Sequence, residues 1–74
     1  MAAHPRIEHN PDVMGGKPVL RGTRVPVETV LRKLGAGMAP AAIVRDHPRL
    51  TLADIQAAQT FAADYLADET LVYG

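Results

Sequence analysis

The chain has 74 residues, with Lys+Arg and Asp+Glu both numbering 8 and no cysteine. That length holds one domain, and the missing cysteines exclude disulfides, thiolate zinc sites and thiol nucleophiles. A formal net charge of zero argues against a purely electrostatic grip on nucleic acid.

A chain this short buries a modest share of its surface and commonly needs a staple or a second subunit. Without cysteine, self-association as a homodimer is the expected support. The composition is rich in Ala, Leu and Val, with only Phe61, Tyr65 and Tyr73 as aromatics, which favours helix over sheet. No apolar run reaches membrane-spanning length, and the opening MAAHPRIEHN lacks the apolar centre of a secretory leader. A cytoplasmic location is expected.

Residues 1–25 form an extended arm in this reading. Asn10-Pro11-Asp12 is a turn signal and Gly15-Gly16 a second one. Arg6–Glu8 and Val19–Arg21 are expected to pair as a short β-ribbon, with Pro18 suited to a strand edge and Gly22 marking a bend. A trihelical core then spans 26–67. Pro26 is placed at the first position of a helix over 26–35, whose apolar stripe is Val27, Val30, Leu31 and Leu34. Gly35 and Gly37 supply its stop.

Pro40 opens a second, two-turn helix with Ile43 and Val44 inward, and Pro48 closes it after His47. Thr51 caps the third helix, where the Asp54 carboxylate can reach back to the cap N–H. Leu52, Ile55, Ala58, Ala62, Tyr65 and Leu66 are expected to form its buried face, with Phe61 at the edge. A tail over 68–74 carries Leu71, Val72 and Tyr73. The turn His47-Pro48-Arg49-Leu50 between the last two helices gives a helix-turn-helix. The fold class is therefore mainly α: an extended arm or short β-ribbon followed by a three-helix, homeodomain-like bundle.

Nothing in the chain assembles an active site. Serine is absent as well as cysteine. His4, His9 and His47 are too scattered for a zinc set and read as solvent-exposed. Gly15-Gly16-Lys17 lacks the upstream glycine and following Ser/Thr of a phosphate loop. A non-catalytic chain without metal or cofactor is the expectation.

Charge is distributed unevenly. Lys17, Arg21, Arg24, Arg32 and Lys33 fall in the first half, whereas beyond Leu50 the charged residues are Asp54, Asp64, Asp68 and Glu69. A basic front and an acidic back suggest two binding surfaces. The third helix makes a poor reader of base edges. Its expected outward positions Ala53, Asp54, Gln56, Ala57, Gln59, Thr60 and Asp64 offer two glutamines and no cation. If DNA is bound, the arm is the better candidate. The other reading of the arm is structural, with Arg21 and Arg24 clamping backbone carbonyls or a carboxylate such as Glu28 or Asp12.

The string Gly15-Gly16-Lys17-Pro18, Arg21-Gly22-Thr23-Arg24, Pro26-Val27, with Ile7 and Pro11 before it, closely resembles the domain of unknown function 433 family. Gly37-Met38, Pro40, Ile43, His47-Pro48, Leu50-Thr51, Asp54-Ile55 and Ala58 fall in the same register. Two positions depart from the pattern: Ala39 stands where Ser or Thr often caps the second helix, and Ala41-Ala42 where an acidic pair is common.

The resemblance implies a homeodomain-type helical domain and the antitoxin of a type II toxin–antitoxin pair, set against a PIN-like ribonuclease toxin. Operator DNA binding as a dimer is a further implication. On that reading Lys17, Arg21, Thr23, Arg24, Arg32 and Lys33 form a DNA-binding or dimer arm. Asp64, Leu66, Asp68, Glu69, Leu71, Val72 and Tyr73 form the surface for the toxin. The alternatives are a stand-alone dimeric DNA-binding regulator and a pure protein-assembly module. No small-molecule substrate or membrane partner is expected.

Overall fold

The structure is a computed structural model that describes residues 4–68. In chain order it contains β1 (Ile7–His9), a 3-10 turn (Met14–Gly16), β2 (Pro18–Leu20), α1 (Val27–Gly35), α2 (Pro40–Asp46) and α3 (Leu52–Asp68). The expected ribbon is present, each strand offset by one residue from its expected bounds. β1 and β2 are antiparallel, with Ile7 opposite Leu20 and His9 opposite Pro18. Between them, the Asn10 side chain accepts from the Asp12 N–H at 2.9 Å and the Asn10 carbonyl from the Val13 N–H at 2.8 Å, an Asx turn of the type Asn supports.

After β2 the chain reverses tightly. The Leu20 N–H donates to the Val25 carbonyl at 2.9 Å. The Thr23 hydroxyl donates to the Leu20 carbonyl at 2.6 Å and accepts from the Val25 N–H at 3.0 Å. This turn brings Pro26 into a bridge with Val19, so β2 is flanked on both sides. The bridge also explains a correction. Pro26 is extended (φ −64°, ψ 142°) and is the N-cap of α1, one position before the first helical residue. Its carbonyl still accepts from the Thr29 N–H at 3.0 Å.

α1 ends in a Schellman motif. The Met38 N–H donates to the Lys33 carbonyl and the Gly37 N–H to the Leu34 carbonyl, both at 3.0 Å, with Gly37 at φ 93° in the left-handed region that glycine tolerates. Met38 packs against the core. α2 starts with Pro40 in its first turn and has Ala39 at the N-cap with no side-chain bond. The start of α3 is the expected capping box. Asp54 Oδ2 accepts from the Thr51 N–H at 2.9 Å, and Thr51 Oγ1 accepts from the Asp54 N–H at 3.2 Å.

The core gathers side chains from both strands, all three α-helices and the turn before α3: Ile7, Leu20, Val27, Val30, Ile43, Leu50, Ile55 and Ala58. The expected buried face of α3 needs correcting at both ends. Leu52 is 56 % exposed, Tyr65 58 % and Leu66 65 %, while Asp54, placed outward in the sequence reading, is only 5 % exposed. For Tyr65 and Leu66, helix lengths give the reason. With 17 residues, α3 runs about 25 Å at the α-helical rise, against about 13 Å and 10 Å for α1 and α2. Its second half outruns the elements it could pack on.

Asp54 is buried because Arg6 Nη1 reaches its second carboxylate oxygen at 3.2 Å, joining the arm to α3. Among the described residues no helix is long and apolar enough to cross a membrane.

Asp54→Ala removes the capping acceptor and leaves the Thr51 N–H and Arg6 without their partner. Chemical denaturation should show a loss of about 2 kcal/mol. Ala39→Ser restores a side-chain acceptor at the uncapped start of α2 and should add about 1 kcal/mol by the same measurement.

Candidate functional site

Two surfaces compete as a site: the cationic arm and the overhanging half of α3. In the arm most of the cations are already engaged. Arg21 Nε donates to the Pro5 carbonyl at 2.7 Å and Arg21 Nη2 to the Ile7 carbonyl at 3.4 Å, so Arg21 fastens the residues before β1 onto β2. Thr23 is spent inside its own turn. Lys17 Nζ lies 3.3 Å from Glu28 Oε1, and Arg32 Nη2 lies 3.1 Å from Glu28 Oε2. Lys33 Nζ approaches Asp46 Oδ2 at 3.8 Å between α1 and α2. Arg24 alone of the named arm residues is exposed with no hydrogen bond or ion pair among the described residues. The structural reading therefore holds for Arg21, through backbone carbonyls rather than Glu28 or Asp12, while Glu28 gathers Lys17 and Arg32 instead.

The second surface is a groove. Where α3 projects beyond the core, its inner side faces α1 and the end of the ribbon across an open, almost wholly apolar cavity of about 490 Å³. Val27 and Leu31 of α1 form one wall, Phe61, Tyr65 and Leu66 of α3 the other, and Pro18 closes the end. Glu28, tied to Lys17 and Arg32, stands at the α1 rim. Exposed apolar side chains contiguous with an apolar cavity mark a docking surface.

Aromatic contacts fix the α3 wall. The His4 ring meets Phe61 edge-on at 5.2 Å, and Phe61 stacks on Tyr65 at 6.3 Å, geometries favoured by ring quadrupoles. His4 Nε2 lies 3.0 Å from Asp64 Oδ2. The histidines thus differ from their expected exposure: His9 is exposed, whereas His4 and His47 are partly buried. Among the described residues no group of three His, Cys, Asp or Glu side chains could hold a metal.

Of the residues assigned to a partner surface, Leu66 lines the groove and Asp64 is held by His4. Asp68 is the last residue of α3. Glu69, Leu71, Val72 and Tyr73 lie outside the described residues. The α1 wall was missed in the sequence because Val27 and Leu31 belong to an ordinary amphipathic stripe. Only the mismatch in helix lengths, which is readable, hints that part of that stripe is left open.

The Arg32 guanidinium, followed by the Lys17 ammonium, holds the Glu28 carboxyl below the usual glutamate range. A carboxyl lowered in the folded state contributes stability above its unfolded midpoint, lost as pH falls through the folded one. NMR titration should find the Glu28 midpoint below the ordinary value, and Arg32→Ala should move it upward.

Comparison with known proteins gives the chain a family setting. A family model described as "Protein of unknown function (DUF433)" matches residues 7–62. An uncharacterized protein, y4eO, of Sinorhizobium fredii (strain NBRC 101917 / NGR234) is 36% identical over 74 residues, which is 99% of this chain and 34% of that protein. The chain thus spans about a third of the length of this relative. No solved structure matches the chain.

Proposed function

The chain belongs to the DUF433 family, and on that premise we propose that it is a non-catalytic binding protein, the antitoxin of a type II pair, which silences a PIN-like ribonuclease toxin by seating part of it in the α1–α3 groove. The observation that carries this reading is the continuous apolar surface from the groove to the exposed Tyr65 and Leu66. An apolar helix or strand of a partner gains free energy by covering such a surface, on the order of 25 cal/mol per Å² removed from water. The helix that forms one wall carries Asp64 and Asp68 and no lysine or arginine, which suits a partner that is basic around an RNA path.

The α2–turn–α3 unit is read here as homeodomain-like. α2 ends at Asp46 and α3 begins at Leu52, and Ile43 and Ile55 meet Val30 of α1 in one core. A stand-alone DNA-binding regulator has less support. Gln56, Gln59 and Thr60 on the exposed side of α3 have no cation among them, and four of the arm's five Lys and Arg side chains are occupied internally. A pure assembly module would share the groove but not the toxin.

Co-expression with a PIN-like ribonuclease from the same genome tests this reading. The wild-type chain should relieve growth arrest, and Leu66→Glu, which puts a charge into the groove wall without touching the core, should restore the arrest and weaken pull-down by about a hundredfold. Full neutralisation by Leu66→Glu would overturn the groove as the docking site. No interaction of the wild type with that nuclease would overturn the antitoxin reading.

A further inference from the structure

The turn after β2 and the turn before α3 meet on a surface that shares no lining residue with the groove. Arg49 Nη1 donates to the Gly22 carbonyl at 3.4 Å, and a cleft opens on each side of this contact. The first, about 390 Å³, is lined by Glu8, Gly22, Thr23, Arg24 and Arg49. The second, about 250 Å³, is lined by Thr23, Asp46, His47 and Arg49. Both are wide enough for a tetrahedral anion.

Three features of these clefts have no explanation within the fold. Arg24 sits in the left-handed region at φ 60°, a conformation unfavourable for any residue with a Cβ other than Asn or Asp. Its guanidinium is exposed and makes no bond among the described residues. A glycine there would hold the same turn with less strain, so folding does not account for an arginine. Last, His47 Nε2 is buried without a hydrogen-bond partner, at the edge of the cleft that Arg49 shares.

Of the two carboxylates nearby, Asp46 is drawn to Lys33, and Glu8 is the one that lines the first cleft with the two arginines, so the positive charge there exceeds the negative. We propose that Arg24 and Arg49 clamp a phosphate group, a monoester or a diester, over the Gly22–Thr23 turn. A guanidinium presents its donors as a planar fork that matches oxyanions, and Arg24 and Arg49 both line the first cleft, which suits the several oxygens of a phosphate. Arg49, bonded to Gly22, is held in place before the ligand arrives, and Arg24 completes the clamp. The phosphate can come from a nucleic-acid backbone or from a small phosphorylated molecule.

The test uses the full chain, 15N-labelled, titrated with inorganic phosphate at constant ionic strength and separately with a short DNA duplex and a short RNA strand. Shifts should concentrate at Thr23, Arg24, His47 and Arg49. Arg24→Gly and Arg49→Gln should each weaken binding by about tenfold or more. Arg24→Gly should also melt higher than wild type in phosphate-free buffer, which separates loss of the clamp from loss of the fold. Binding of an oligomer much tighter than inorganic phosphate, and falling steeply with salt, identifies a nucleic-acid backbone as the source. Similar affinities identify a small phosphorylated ligand. Absence of localised shifts with all three probes, or Arg24→Gly binding as wild type does, would overturn the proposal. Because the groove is untouched by these variants, neutralisation of a partner nuclease is read independently.

Discussion

Asp54 connects the halves of this molecule. Its carboxylate is almost wholly buried, and a buried charge is tolerated only when it is paired and fully hydrogen-bonded. Both of its oxygens are used. One closes the first turn of α3 through Thr51, and the other meets Arg6 just before β1. The carboxylate that caps the long helix therefore has both oxygens paired only when the arm lies across it. The ribbon is in turn laid on the bundle by Ile7 and Leu20, which face each other across the strands and enter the same core as Ile55. Asp54 is the buried polar contact between the halves, with His4–Asp64, Lys17–Glu28 and Arg49–Gly22 joining them nearer the surface.

Local rules made much of this legible in the sequence. Glycine and proline punctuation located the turns, and Thr51 with Asp54 announced the start of α3. The stripe in α1 pointed to the core, because its spacing follows the helix whatever the tertiary surroundings. What escaped were features decided between distant segments. Pro26 became an N-cap because Val19 pairs with it. Asp54 turned inward because Arg6, 48 positions away, supplied a partner. Tyr65 and Leu66 keep the apolar period of a buried face, but among the described residues no element is long enough to cover them. Periodicity reports which side of a helix is apolar, not whether anything lies against it.

The same distinction governs the charges. Lys17, Arg21, Arg24, Arg32 and Lys33 read as one basic surface when counted along the chain. In three dimensions they divide by partner: carbonyls for Arg21, Glu28 for Lys17 and Arg32, Asp46 for Lys33. A cation already donating to the protein has less to offer a ligand, since a new contact must first replace an existing one. Arg24 has no bond among the described residues, and Arg49, a residue that nothing in the charge pattern distinguished, spends one N–H on the Gly22 carbonyl and keeps its other donors.

The overhang of α3 also bears on how long the chain survives. Past Ala62 most side chains of the helix are exposed among the described residues, so its last turns can open locally at a free-energy cost well below that of unfolding the whole domain. Proteases act on such opened segments in proportion to how often they open. A partner lying along Tyr65 and Leu66 would suppress that opening by mass action. The lifetime of the chain would then depend on the supply of its partner, with no dedicated degradation signal required.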